Sequence, residues 1–175
     1  MGKLILVLGG ARSGKSAFAE ELAKDHKRVA YIATALVADD EMRRRVAFHR
    51  KRRPRTWVTY EANAKLDSVI RKAAKAATLV LVDCMTLYLS NTMMTASGRQ
   101  HSHEAIFKDV EGICKASRSV GADVVVVSNE IGMGIVPDTP LGRKFRDLQG
   151  CANQTIARAA DEVYLIVAGI PQRIK

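Results

Sequence analysis

The octapeptide "GGARSGKS", residues 9–16, directly follows the apolar run "LILVL" (4–8) and opens a segment in which Phe18 and Leu22 stand four apart. It satisfies the pattern G-x-x-x-x-G-K-[ST] through Gly9, Gly14, Lys15 and Ser16. Few features restrict a chain more. A buried strand must run into a glycine-rich turn, and the turn must feed a helix. Successive backbone N–H groups then point inward, and the positive end of the helix faces the same spot. Such a cradle takes phosphate oxygens. Lys15 reaches the outer phosphates, and the Ser16 hydroxyl is placed to ligate Mg²⁺. A chance match in a glycine-rich turn would need neither the strand before it nor the helix after it.

The rest of the chain fits that start. "VAYIA" (29–33), "LVLV" (79–82), "VVVV" (124–127) and "VYLIV" (163–167) are continuously apolar, as strands covered on both faces of a parallel sheet are. Helical 3–4 spacing links Leu66, Val69, Ile70 and Ala73. It recurs in Ile106, Phe107, Val110, Ile113 and Cys114, and again in Leu141, Phe145, Leu148 and Ala152. Alternating strands and helices imply right-handed crossovers. The predicted fold is α/β: a P-loop NTPase-like, mostly parallel sheet with helices on both faces, in a single domain over residues 1–175. The polar stretch "NTMMTASGRQHSH" (91–103) reads as a loop or a frayed helix end.

Composition excludes several classes. The longest apolar runs are too short to span a bilayer. The N-terminus enters a strand with no cleavable leader pattern, and Cys84, Cys114 and Cys151 fit no metal spacing and leave an odd count. A cytoplasmic protein with reduced thiols is the expectation. Net charge is +10, but eight of the Lys and Arg residues fall between Arg43 and Arg55 with no acid among them. Without that run about +2 remains, so the basicity is local. A local cluster suits a polyphosphate ligand at least as well as a long nucleic acid. A nucleic-acid platform would interleave aromatics among the cations, and only Trp57 and Tyr60 are near.

Three further sites carry chemistry. "LVLVD" ends an apolar strand on Asp83, which at the carboxyl edge of a sheet would sit beside the phosphate loop and hold Mg²⁺, or else cap the next helix. "SNEIGMGIVPDTP" (128–140) would bring Asn129 and Glu130 to the same edge, in a substrate-side loop or a plain turn. His49 lies inside "RVAFHRKRRPRTW". Surrounding cations lower an imidazole pKa from its reference of about 6.5, leaving a neutral ring with a free lone pair. The same arginines would grip a triphosphate, and an imidazole held there can attack phosphorus. The residues alone leave open a second possibility, a histidine on an ordinary solvated basic face. His101 and His103 are spaced like a weak metal pair, and solvated loop histidines explain them as well.

From end to end the chain resembles the bifunctional adenosylcobinamide kinase / adenosylcobinamide-phosphate guanylyltransferase family of cobalamin assembly. The likeness rests on "GGARSGKS", "YIATA", "DDEM", "HRKRRPRTWVTYE", "VDCMTLYLSN", "VSNEIGMGIVP", "RKFRD", "GCANQ", "ADEVYLIVAGIP" and a terminal lysine, all in order. "HRKRRPRTWVTYE" fits the family pattern through His49, Arg50, Arg53, Pro54, Trp57, Thr59 and Glu61. The resemblance implies two reactions. In one, the aminopropanol hydroxyl of adenosylcobinamide is phosphorylated with GTP or ATP. In the other, GTP gives a covalent guanylyl–histidine, and its GMP passes to adenosylcobinamide phosphate. By this likeness His49 is the guanylylated residue and Lys15 serves phosphoryl transfer. Nucleotide contacts are implied for Gly9, Gly10, Ala11, Arg12, Ser13, Gly14, Lys15 and Ser16. They extend to Ala33, Thr34 and Ala35, to Arg50, Lys51, Arg52 and Arg53, and to Glu61 and Asp83. Ser16 and Asp83 are the candidate Mg²⁺ ligands, and a homo-oligomer, trimeric in known members, is implied.

The chain lacks the N-K-x-D guanine reader of GTPases, so Glu61 is a candidate acceptor for the guanine N–H groups. Asp83 and Glu130 are candidate bases for the kinase step. Departures from the family pattern are few: Tyr88 stands where tryptophan is common, Ala47-Phe48 precede the histidine where a second histidine sometimes occurs, and 91–103 matches nothing legible. The alternative reading is a P-loop small-molecule kinase without guanylyl transfer.

Overall fold

In a computed structural model the described residues are 1–36, 40, 43, 44, 47, 53–93 and 102–175. Their strands are β1 (Leu4–Gly9), β2 (Val29–Ala33), β3 (Val58–Glu61), β4 (Leu79–Asp83), β5 (Asp123–Asn129), β6 (Glu162–Val167) and β7 (Ile170–Arg173). The helices are α1 (Lys15–Ala23), α2 (Leu66–Ala73), α3 (Met85–Met93), α4 (His103–Ser119) and α5 (Pro140–Ala159). One sheet runs β3-β2-β4-β5-β1-β6-β7, parallel throughout except for the antiparallel β6–β7 pair.

The apolar runs form the middle of the sheet because both of their faces are covered. In β1, Leu4, Leu6 and Leu8 enter one core with α2, α3, α4 and α5, while Ile5 and Val7 enter the other with α1. The alternation repeats in β5, where Val124 and Val126 face the four-helix side and Val125 and Val127 the α1 side. Helices do lie on both faces, unequally among the described residues. Two helices start on side-chain caps: Ser102 Oγ accepts from Ala105 N at 3.2 Å, and Thr139 Oγ1 accepts from Gly142 N at 3.1 Å, with Pro140 in the first turn.

Every strand and helix expected from apolar patterning is present. The two additional strands, β3 and β7, are sheet edges. Neither contains a buried residue, and β7 carries Pro171 where its missing N–H costs little. Helix α3 was not read from the sequence although Met85, Tyr88, Leu89 and Met93 keep helical 3–4 spacing; buried Thr86 and partly buried Leu87 leave it without a clear polar face. Its described residues run to Met93; residues 94–101 of the segment expected to be a loop or a frayed helix end, His101 among them, lie outside the described residues.

Candidate functional site

The carboxyl ends of the parallel strands gather the expected residues. Gly9 is level with Asn129, and Asp83 with both Ala33 and Val127; Ala33 in turn pairs with Glu61 on the outer side. In the phosphate loop, Arg12 at φ 58 and Gly14 at φ 96 are left-handed. Gly14 has little choice: a Cβ there would stand 3.1 Å from the Gly169 Cα. Gly9 is equally confined, since its Cβ would meet Ser13 Oγ at 2.4 Å. Ser13 N donates to Gly10 O at 3.3 Å, and the tip of the β6–β7 hairpin closes over the loop, with Gly169 N donating to Ser13 O at 2.8 Å. That tip, Ala168–Gly169, has positive φ at both positions, as a tight two-residue hairpin requires. The hairpin's contact with the loop was not foreseen; "AGIP" after the last apolar run was its only sequence trace.

Lys15 opens α1, and its Nζ donates to Gly10 O at 3.0 Å, across the mouth of the loop. Burial lowers the pKa of this ammonium, and the nearby Cys84 and Asp83 oppose the shift. A bound polyphosphate would supply the missing counter-charge. Ser16 Oγ donates to Asp83 Oδ1 at 3.4 Å, and the Tyr31 hydroxyl donates to Asp83 Oδ2 at 3.0 Å. A hydroxyl and a carboxylate on hard oxygens, beside a phosphate cradle, fit Mg²⁺, which needs few protein ligands because water and substrate phosphates complete its shell. Among the described residues no group of three or more His, Cys, Asp or Glu is placed to hold a metal ion.

Thr34 is wholly buried, and its hydroxyl is committed. Oγ1 accepts from Cys84 N at 2.8 Å and donates to Cys84 O at 2.7 Å, while Asn91 Nδ2 donates to Thr34 O at 2.8 Å. The side chain thus clasps the residue next to Asp83, and burial pushes the Cys84 thiol up to about 11. Ala33 and Ala35 flank it, half-buried at the same edge. Glu61 is exposed at the end of edge strand β3. Of the expected nucleotide contacts Arg50 to Arg53, Arg53 is described: its guanidinium carbon lies 3.6 Å from the Tyr31 ring centroid. His49, Arg50, Lys51 and Arg52 lie outside the described residues.

Beyond β5, Glu130 N donates to Gly9 O at 3.1 Å, joining the next loop to the first residue of the phosphate motif. Glu130 Oε1 accepts from Gly132 N at 3.0 Å, and Oε2 lies 3.5 Å from Asn153 Nδ2. Asn153 belongs to a buried cluster on α5. Its Oδ1 accepts from Ser128 Oγ at 2.7 Å and from Gln149 Nε2 at 2.9 Å, and its Nδ2 donates to Asn129 O at 2.9 Å. Thr86 Oγ1 on α3 accepts from Asn129 N at 2.8 Å. Gln149 and Asn153, four apart on an apolar helix face, were the available signal for this cluster.

The phosphate cradle, the Ser16–Asp83 pair and a tethered Glu130 at one sheet edge can bind a nucleotide and direct phosphoryl transfer. Comparison with known proteins places the family. A family model described as "Cobinamide kinase / cobinamide phosphate guanyltransferase" matches residues 5–174. The chain belongs to that family. It is 42% identical over 180 residues to the bifunctional adenosylcobalamin biosynthesis protein CobU of Escherichia coli (strain K12), covering 98% of this chain and 99% of the relative. The Salmonella typhimurium protein of the same description is 41% identical over the same shares. The bifunctional adenosylcobalamin biosynthesis protein CobP of Pseudomonas aeruginosa is 40% identical, over 97% of this chain and 96% of that one. Among solved structures, the P4 protein from bacteriophage phi6 in complex with ADP aligns at a TM-score of 0.52 and 16% identity. It covers 97% of this chain, which spans about half (54%) of the phage protein's length. That likeness concerns the fold alone.

Proposed function

We propose that the carboxyl edge of this sheet carries both reactions of a bifunctional cobinamide kinase and cobinamide-phosphate guanylyltransferase. The observation that carries the reading is the Ser16–Asp83 contact at the mouth of a phosphate loop in a chain of this family. In the kinase step, the amides of residues 9–16 and Lys15 hold the phosphates of GTP or ATP. Mg²⁺, when bound, offsets phosphate charge, and Ser16 and Asp83 would hold it. The aminopropanol hydroxyl of adenosylcobinamide attacks the γ-phosphorus as the bond to the β-bridging oxygen breaks, and its proton goes to a carboxylate. Asp83 accepts hydrogen bonds from Ser16 and Tyr31. Glu130, tied to Gly9 O and steadied by Gly132 N, is the better base.

In the second step a ring nitrogen of His49 attacks the α-phosphorus of GTP, and pyrophosphate leaves. The phosphate oxygen of adenosylcobinamide phosphate then displaces the histidine, giving adenosylcobinamide-GDP and a free imidazole. Arg50, Lys51, Arg52 and Arg53 would draw charge from the phosphates. Glu61, exposed at the end of β3, would accept from guanine, and the backbone of Ala33, Thr34 and Ala35 would line the nucleotide. We further read residues 1–175 as one domain of a cytoplasmic homo-oligomer, trimeric as in known members, with no nucleic-acid partner. Among the described residues no helix is long and apolar enough to cross a membrane.

The kinase half is tested by giving the protein adenosylcobinamide and γ-labelled GTP. Label should reach the corrinoid. Lys15→Ala should lose the transfer by about 100-fold or more, and Glu130→Gln should lower kcat by about 10²–10⁴ with KM for GTP little changed. A full rate in Glu130→Gln would remove that residue from the role of base.

A further inference from the structure

Tyr31 is a buried strand tyrosine with both ends engaged. Its hydroxyl donates to Asp83 Oδ2 at 3.0 Å, and the other oxygen of that carboxylate accepts from Ser16 at 3.4 Å. The Arg53 guanidinium covers its ring at 3.6 Å, a cation–π distance. Tyr31 stands on β2 two residues before Ala33, so its side chain shares with Asp83 the sheet face covered by α1. One side chain therefore touches both Arg53, near the end of the basic run, and the carboxylate beside Ser16.

We propose that Tyr31 is a positioning residue of the nucleotide site, orienting Asp83 through its hydroxyl and Arg53 through its ring. This rests on the nucleotide reading above. Any buried tyrosine hydroxyl needs a partner; what sets Tyr31 apart is that its partner is the acid beside Ser16 and that Arg53 covers its ring. Here the hydroxyl fixes the rotamer of the acid that would face Mg²⁺, as outer-shell partners do for metal ligands. The ring fixes where Arg53 presents its charge.

Tyr31→Phe and Tyr31→Leu separate the two contacts. GDP, which has no γ-phosphoryl group to transfer, is the probe, titrated calorimetrically with and without Mg²⁺, and melting temperature reports folding. In Tyr31→Phe the tightening of GDP binding by Mg²⁺ should shrink about tenfold, with Mg²⁺-free affinity held and the melting temperature lowered by only a few degrees. In Tyr31→Leu the Mg²⁺-free affinity should also fall several-fold. Adding Arg53→Gln to Tyr31→Leu should then cost less than the two single changes combined. If Mg²⁺ tightens binding equally in Tyr31→Phe and the parent, the Asp83 half is overturned. Additive losses in the double variant overturn the Arg53 half. A parent protein that binds GDP in neither condition would overturn the nucleotide reading itself, and this proposal with it.

Discussion

Asn153→Ala should be among the costliest single changes in this protein, although Asn153 forms no part of the phosphate loop. The side chain is 4% exposed, and its neighbours Ser128 and Gln149 are wholly buried. Truncation removes the acceptor of the Ser128 hydroxyl and of Gln149 Nε2, and the donor to Asn129 O. Gln149 Nε2 keeps Ser128 Oγ as a partner at 2.9 Å, so two groups are left short: the Ser128 O–H and the Asn129 carbonyl. Each unsatisfied buried group costs about 1–3 kcal/mol, and an entering water would recover part. A loss of about 3 kcal/mol should lower the melting temperature by roughly 6–12 °C for a chain of this size. Asn153→Asp is the informative partner. It keeps both accepted bonds but loses the donors and sets a second carboxylate against Glu130 Oε2. The new acid's folded pKa would be raised, so its penalty is full above that value and eases as pH falls towards the unfolded value of about 3.9. Thermal and urea denaturation between neutral and mildly acid pH measures both variants. Losses under about 1 kcal/mol in both, with no narrowing of the Asp variant's deficit on acidification, would refute the reasoning.

Acid stability should depend on the start of β6. The Leu4 N–H and Arg118 depress the Asp161 pKa, and hydrogen bonds from Lys3 and Tyr164 depress that of Glu162. Depressed carboxylates stabilise the fold above their unfolded values, about 3.9 and 4.3, and lose that contribution as pH falls through the folded ones. Asp161→Asn with Glu162→Gln should therefore flatten the fall in stability below about pH 4, while an unchanged acid limb would contradict the assignment. A thiol reagent at neutral pH should react rapidly with one cysteine, Cys151, which is exposed. Cys84 and Cys114 are buried, with thiols pushed up to about 11, and should react only on unfolding. Rapid reaction persisting in Cys151→Ser would contradict this.

The middle of the sheet was legible because β1, β2, β4 and β5 are buried on both faces and so must be apolar without interruption; β6 is only partly buried but keeps the apolar run "VYLIV". The edges were not. β3 and β7 owe their strand conformation to a neighbour's free hydrogen-bonding groups, a tertiary fact that "VTYE" and "IPQR" do not carry. The same division holds at the site. Glycines, Lys15 and Ser16 announce the cradle through local backbone demands, and Asp83 through its place at a strand end. The roles of Tyr31, Asn153 and the Ala168–Gly169 tip arise from contacts across 52, 24 and about 156 residues of chain, which no local pattern encodes. Thr34 illustrates the converse: an expected nucleotide residue by resemblance, its hydroxyl is occupied with the backbone of Cys84.

The most direct measurement is a peptide map of the protein after incubation with α-labelled GTP and Mg²⁺. One acid-labile, base-stable GMP adduct should appear on the peptide containing His49, vanish in His49→Ala, and discharge to adenosylcobinamide phosphate. His49→Ala should still phosphorylate adenosylcobinamide. A protein that phosphorylates adenosylcobinamide yet never carries the adduct, or carries it on another residue, would contradict the assignment of guanylyl transfer to His49.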